Sequence, residues 1–283
     1  MNVDHGNRRT RNEIASNVER NHKTLRTLRK TGLALFKALK RKGLNTGLHK
    51  KSLESLSPEQ LNLAGVLLRD EGTKGGNALA FRAFKIAAAR GLPEARLNLG
   101  YALFHGEGVS HSRRAAVEQY RKAAGAGNAK AMFNLGLSLE FGHGTRKNGR
   151  SALGWYKRAA ALGRARAAYR IGHAYWWARC GVRRNYRAAT RWFRRAAQLG
   201  DGEAAGYLGV AYHEGIGVPR NLRLSAKWYR RGAQAEDADS LLGLGLLYRD
   251  GEGVAPSRKR AERFFRAAAK RGSKDASKAL RTL

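Results

Sequence analysis

A repeat of about 36 residues runs through most of the chain and limits the folds that it can adopt. One series of glycines, each inside an apolar helical pattern, is Gly65, Gly100, Gly136, Gly172, Gly209 and Gly245. A second series, which closes the repeats, is Gly91, Gly127, Gly163, Gly200 and Gly272, with Glu236 at the place of the fifth glycine. A fixed period of this length is typical of proteins in which neighbouring repeats stack to bury a continuous core. We therefore predict six stacked repeats.

Each repeat is predicted to be a pair of helices joined by a glycine turn. The turn reads Gly-x-Gly-Val or Gly-x-Gly-Thr in four repeats, and glycine can take the left-handed backbone conformation that a tight helix exit needs. The second helix is predicted to begin at a residue that can cap exposed amides, namely Asn77, Ser112, Asn148, Asn185, Asn221 and Ser257. In the fourth repeat the turn, between Trp176 and Val182, has one extra residue and lacks the first glycine. We expect a distorted exit there.

The combined pattern resembles the Sel1-like repeat family, which consists of α/α solenoids related to tetratricopeptide repeats. Alanine, Leu-Gly, an aromatic residue, Gly-x-Gly-Val, and an aromatic residue before a basic residue and Ala-Ala recur between about residues 61 and 283. The resemblance implies an all-α solenoid of about six helix-turn-helix repeats. It also implies a scaffold for protein contacts, with no catalysis and no cofactor, whose first helices line the concave face.

The first 56 residues carry no repeat and are predicted to be a basic helical segment followed by a linker. The first 60 residues contain 14 basic and 5 acidic residues. Two roles stay open for the segment: a cap on the apolar end of the first repeat, or an arm that contacts a membrane surface or nucleic acid. The solenoid is predicted to span residues 57–283 with a closing helix after Gly272, because Ser57-Pro58-Glu59-Gln60 has the form of a capping box.

Composition and motifs argue against several classes of function. A single cysteine excludes a disulfide framework, and the histidines show no metal-binding spacing. The Gly-x-Gly turns follow helices and lack the lysine of a phosphate-binding loop. Cys180 lies near Arg179 and Arg183 in the sequence, which leaves two interpretations open. It is either a thiol with a lowered pKa or an ordinary cysteine in a turn. No apolar run is long enough to span a bilayer, and we predict a cytoplasmic protein.

Basic residues dominate the charge and follow the repeat. The chain has 56 Lys and Arg against 21 Asp and Glu, which gives a formal net charge of +35. One file of cations follows the aromatic residues of the second helices, and another flanks the starts of those helices, where cations oppose the helix dipole. Cations of stacked repeats would lie about 10 Å apart, so we expect their mutual repulsion to be unrelieved. We therefore expect no loss of stability when Arg158, Arg194, Arg195 and Arg231 are replaced with Gln.

The fourth repeat is predicted to be the centre of a binding surface. No acidic residue occurs between Glu140 and Asp201, whereas 15 basic residues do. The candidate partner-binding residues are Arg158, Arg166, Arg170, His173, Trp177, Arg179, Arg183, Arg184, Arg194, Arg195, Arg230 and Arg231. An arginine-rich composition spread over solvated faces is the alternative that carries no function.

The sequence predicts a non-enzymatic scaffold or adaptor whose basic surface holds an acidic protein or peptide. The alternative is a protein that binds RNA or single-stranded DNA through phosphate contacts. Aromatic side chains exposed among the cations would favour nucleic acid, because bases stack on them. Cations without exposed aromatic side chains would favour an acidic protein.

Overall fold

The computed structural model describes residues 56–283, and these residues form thirteen helices and no strand. The helices are α1 Pro58–Asp70, α2 Lys74–Ala89, α3 Pro93–His105, α4 Arg113–Gly125, α5 Ala129–Phe141, α6 Gly149–Ala161, α7 Ala165–Trp176, α8 Tyr186–Gln198, α9 Gly202–Glu214, α10 Leu222–Gln234, α11 Ala238–Asp250, α12 Arg258–Lys270 and α13 Lys274–Arg281. None of these helices is both long and apolar enough to cross a membrane. The predicted basic N-terminal segment, residues 1–56, lies outside the described residues except for Leu56, and its boundary and roles stay predictions.

The chain divides into two compact units, one ending at residue 128 and the other covering residues 129–283. The first unit contains α1–α4 and the second contains α5–α13. In both units a first helix pairs with the second helix of the same repeat, and within each unit that second helix packs on the next first helix. The predicted all-α class and helix-pair repeat are confirmed.

The glycines of the first series let an aromatic ring lie directly on the first helix of each repeat. A Cβ atom on Gly172 would lie 2.6 Å from the ring of Phe193, which is far inside van der Waals contact. The same overlap, at 2.5 to 2.7 Å, would arise at Gly65, Gly100, Gly136 and Gly245. In each case the ring belongs to the second helix of the same repeat, and Tyr156, Phe193 and Phe265 are fully buried. Close approach of the two helices therefore accounts for the 36-residue glycine period.

Five of the six predicted helix starts are confirmed. Ser112, Asn148, Asn185, Asn221 and Ser257 each accept a hydrogen bond from a backbone amide three residues later. Asn77 is wrong, because α2 begins at Lys74 and the hydroxyl of Thr73 accepts from the amide of Gly76. The predicted capping box at Ser57 is present, with the Gln60 side chain accepting from the Ser57 amide at 3.0 Å.

The irregular turn of the fourth repeat keeps the conformation of the glycine turns without their glycines. Ala178 and Cys180 occupy the places of the two glycines and have φ values of 52° and 56°, in the left-handed region. A non-glycine residue costs about 1–2 kcal/mol there. Space for Cys180 comes from the facing helix start, since a Cβ atom on Gly149 would lie 2.5 Å from the Cys180 Cα. The predicted distortion of this turn therefore consists of backbone strain at Ala178 and Cys180. The glycine of the contact lies on the facing helix, at Gly149, instead of in the turn.

A histidine joins two successive turns of the second unit. His213, in the last turn of α9, contacts Glu252 at 2.6 Å through Nε2 and Glu214 at 2.5 Å through Nδ1. Burial alone lowers the pKa of His213, but the hydrogen bonds to Glu252 and Glu214 outweigh burial and hold the pKa above its ordinary value. The imidazolium therefore stabilises the folded state.

We expect the stabilisation by His213 to depend on pH. Because its pKa is raised on folding, the contribution is full below the unfolded pKa of about 6.5 and is lost as pH rises through the folded pKa. Replacing His213 with Gln should cost about 0.5–1 kcal/mol near pH 5.5 and less near pH 8.5, as measured by urea unfolding. The control is His105→Gln, whose ring contacts Tyr101 and Phe104. A cost that is equal at both pH values would contradict the assignment.

Candidate functional site

Two of the predicted partner-binding arginines are paired with acidic side chains of neighbouring repeats. In α7, Arg166 contacts Glu203 at 2.7 Å and Asp201 at 3.6 Å, and its guanidinium lies over the Tyr169 ring. Arg170 contacts Glu140 at 2.6 Å, and its side chain is only 16% exposed. The two arginines of α7 are therefore neutralised by acids at the borders of the acid-free stretch, namely Glu140, Asp201 and Glu203.

Glu140 is the centre of a buried network of three side chains. Its Oε2 atom accepts a hydrogen bond of 2.7 Å from the Tyr156 hydroxyl, while its Oε1 atom pairs with Arg170. Burial and the neighbouring Glu140 raise the pKa of Tyr156 far above its ordinary value, so the phenol stays protonated. The guanidinium of Arg170 also lies 5.2 Å from the centre of the Phe141 ring. Arg170 thus holds α5, α6 and α7 together.

His173 on α7 and Trp177 at the C-cap of α7 lie beside an aromatic side chain of the next repeat, Tyr207. Burial, Arg170 and Arg179 lower the pKa of His173, so its ring is neutral at pH 7. The Trp177 side chain is 49% exposed, and its Nε1 atom donates to the Tyr207 hydroxyl at 3.4 Å. Trp177 is therefore bonded to the next repeat while about half of its side chain stays exposed.

The cations that follow the aromatic residues bond to the preceding second helix. Arg195 donates to the Ala160 carbonyl at 2.9 Å, and Arg231 donates to the Gln198 carbonyl at 3.2 Å. Both acceptors lie at helix C-termini, where carbonyls lack helical partners and the dipole is negative. Arg194 donates to the Tyr212 hydroxyl at 2.8 Å. These three arginines therefore have hydrogen-bond partners inside the protein, which the sequence did not indicate. The expected effect of their neutralisation on stability stays a prediction.

The remaining predicted residues are exposed. Arg158 lies over the Trp155 ring at 4.8 Å, and the nearby Arg230 lowers the pKa of Tyr248. Three more, Arg179, Arg183 and Arg184, are exposed on the irregular turn and the segment after it. The structure does not gather all twelve predicted residues on one surface patch. Their binding role stays a prediction.

A set of exposed cations that the sequence analysis did not select lies on the second helices. We call this set the cationic face, and its members are Arg150 on α6, Arg187 and Arg191 on α8, and Arg223 and Lys227 on α10. Helices α6, α8 and α10 contain no acidic residue. Within residues 56–283, no member of the cationic face forms an ion pair. Two features of the sequence could have identified this set. Its members occupy equal positions in successive repeats, and the two members on α8, like the two on α10, are four residues apart.

Cys180 was the candidate reactive side chain, and the histidines were the candidate metal ligands. Burial and the nearby Glu140 raise the pKa of the Cys180 thiol to about 11. The hypothesis of a lowered thiol pKa is therefore wrong, because the electrostatic effect of Arg170 and Arg179 is weaker than that of burial. Among residues 56–283, no group of three or more His, Cys, Asp or Glu side chains is arranged to hold a metal ion.

The comparisons with known proteins agree on the fold. The sequence model of the Sel1 repeat matches residues 93–128, 129–163, 165–201, 202–237 and 238–273. A protective antigen present in uropathogenic Escherichia coli strains, c5321, is 31% identical with a TM-score of 0.74, and the match covers 83% of this chain and 51% of the antigen. A Sel1 repeat protein from Oxalobacter formigenes is 33% identical with a TM-score of 0.70, over 78% of this chain and 86% of that one. This chain therefore spans about half the length of the antigen. No curated protein matches the sequence.

Proposed function

The chain belongs to the Sel1 repeat family, and on that basis we propose that it is a non-catalytic scaffold that holds an acidic protein or peptide on its cationic face. Proteins built from Sel1 repeats generally mediate protein–protein interaction. The observation that carries the proposal is the row of exposed, unpaired cations on α6, α8 and α10 without any acid on those helices. Surface cations without partners repel one another, and an acidic ligand relieves that repulsion.

The aromatic side chains near the cationic face favour an acidic protein over nucleic acid. Trp155, Trp192 and Trp228 are only partly exposed, and an arginine guanidinium lies over each ring at 4.8, 5.6 and 5.8 Å. Binding of single strands depends on open aromatic faces on which bases stack. Because these faces are covered by the chain's own arginines, carboxylates are the better ligand for this surface.

We expect neutralisation of the cationic face to weaken binding of an oligoglutamate peptide by at least about tenfold, since four modest charge contacts are lost together. The variant is Arg187, Arg191, Arg223 and Lys227 to Gln, and affinity is measured by calorimetry at physiological ionic strength. The matched control is Arg82, Lys85, Arg114 and Arg121 to Gln, which removes the same charge from exposed positions of the first unit.

The two variants separate a local surface from general attraction to a basic protein. Equal losses in both variants would contradict the cationic face as the site. An oligouridine of the same charge that binds the wild type tenfold more tightly than oligoglutamate, and that loses affinity in the cationic-face variant, would overturn the choice of an acidic protein. Circular dichroism and thermal unfolding of both variants confirm that they are folded.

A further inference from the structure

The first helices of the second unit enclose a cleft lined by carboxylates. Its charge is opposite in sign to the net charge of the chain. The cavity has a volume of about 320 Å³ and is walled by residues of α7, α9, α10 and α11 together with the N-cap of α11. Three phenol rings and three carboxylates dominate its lining: Tyr169, Tyr207, Tyr229, Glu203, Asp237 and Asp239. In a chain with 56 basic and 21 acidic residues, this concentration of carboxylates is not expected from composition.

The cleft exists because small residues replace large ones at repeat positions. Gly206 lines the cavity, whereas the corresponding residues of neighbouring repeats are Phe133, Tyr169 and Leu242. Gly243 allows the Tyr229 ring to pass, since a Cβ atom there would lie 2.6 Å from the ring. The cavity is thus a local departure from the repeat.

The charge at one repeat position changes sign along the second unit. This position, in the first turn of the first helices, reads Lys130, Arg166, Glu203, Asp239 and Asp275. Within the described residues Asp239 forms no ion pair. Burial, followed by the neighbouring Asp237 and Glu203, raises the pKa of Asp239, so its carboxylate lacks a compensating cation.

The chain's own Arg166 shows how a guanidinium is held at one end of the cleft. Arg166 bonds to Glu203 at 2.7 Å, and its guanidinium carbon lies 4.6 Å from the centre of the Tyr169 ring. Stacking on an aromatic face together with a carboxylate contact is a favourable environment for arginine. Further along the cleft, Asp239 supplies a carboxylate, and Tyr207 and Tyr229 supply phenol groups to the wall. That second place is not filled by any cation of the described chain.

We propose that this cleft binds an arginine side chain presented by an extended basic segment of a protein partner. The cavity volume suits one side chain rather than a helix, so the partner's backbone would remain outside. A second copy of this chain is disfavoured as the partner, because two molecules of net charge +35 repel one another. The proposal concerns the first helices and does not rest on the cationic face.

The test uses saturation-transfer NMR with an acetylated and amidated peptide that holds one arginine between glycines, at physiological ionic strength. The neutral comparison is the same peptide with citrulline, which keeps the shape of arginine and removes the charge. We expect saturable binding of the arginine peptide and at least about tenfold weaker binding of the citrulline peptide. Binding that is equal for the two peptides, or absent for both, would overturn the proposal.

Two variants place the binding on the structure. Asp239→Asn should weaken the arginine peptide at least about fivefold, whereas Glu94→Gln, at the same repeat position in the first unit and exposed, should change affinity less than about twofold. Equal effects would assign the binding to overall charge and overturn the cleft. Amide chemical shifts of the wild type give an independent readout, because they must change around Tyr169, Tyr207 and Val210 whether or not a variant folds.

Discussion

Replacement of Glu140 with Gln is expected to lower the free energy of unfolding of the second unit by about 3 kcal/mol, because it leaves the buried guanidinium of Arg170 without a counter-ion. The Arg170 side chain is 16% exposed, and the Glu140 side chain 10%, so water replaces the lost contact poorly. Glutamine can still accept from Tyr156, and the loss is therefore assigned to the charge pair. The midpoint of thermal unfolding should fall by roughly 10 °C, since 1 kcal/mol corresponds to about 2–4 °C in a chain of this size.

A double variant serves as the control for this prediction. Glu140→Gln combined with Arg170→Met removes both charges and keeps apolar volume, and such replacements of a whole buried pair are often close to neutral. We expect the double variant to recover at least half of the lost stability. A single variant within about 0.5 kcal/mol of the wild type would show that the network is unimportant for stability. The pair of variants also shows whether a binding defect at Arg170 is a folding defect.

Two glycine-to-alanine substitutions are expected to change stability in opposite directions. At Gly172 the new methyl group would lie 2.6 Å from Phe193 and 3.2 Å from the Ala189 carbonyl. Overpacking of this kind costs about 1–3 kcal/mol, and the ring cannot move away because Phe193 is fully buried. This cost exceeds the gain of about 1 kcal/mol in helix propensity, so Gly172→Ala should destabilise the protein.

Gly154 is the matched position at which only the propensity changes. It lies inside α6, and no atom approaches within 4 Å of the place where a Cβ would be. Gly154→Ala should therefore raise the free energy of unfolding by about 0.5–1 kcal/mol. Urea unfolding of both variants gives the comparison. Stabilisation by both substitutions would mean that the glycine period does not reflect close helix contact.

The period and the caps could be predicted from the sequence because each depends on residues near one another in the chain. The closing position of a repeat keeps its left-handed conformation even without glycine. Glu236 has a φ of 62° at this position and pairs with Arg271 at 2.6 Å. Asn77 was misassigned because the first turn is short, and Thr73 supplies the cap. The six-repeat count also holds in the structure, where α1 and α2 form a pair that precedes the five repeats matched by the family.

The candidate site was less predictable because it depends on contacts between repeats. Arg166 with Glu203 and Arg170 with Glu140 join residues separated by a repeat or nearly so, and counting charges along the chain treats these arginines as unpaired. Comparing equal positions in successive repeats would have placed Arg166 beside Glu203. The Arg170 pair also requires knowing that Glu140 is buried at the end of α5.

The exchange of glycine between the fourth-repeat turn and the helix that faces it couples the two positions through their backbones. In the next repeat the turn carries Gly217, and the facing residue is Tyr186, whereas here Cys180 faces Gly149. A Cβ atom on Gly217 would lie 2.5 Å from the backbone of Tyr186, and one on Gly149 would lie 2.5 Å from the Cα atom of Cys180. Because the clash at Gly149 is with backbone atoms, glycine at position 180 alone would not remove it, and the path of the turn would have to move as well. The fourth repeat is therefore committed to a glycine at this helix start for as long as its turn keeps the present path.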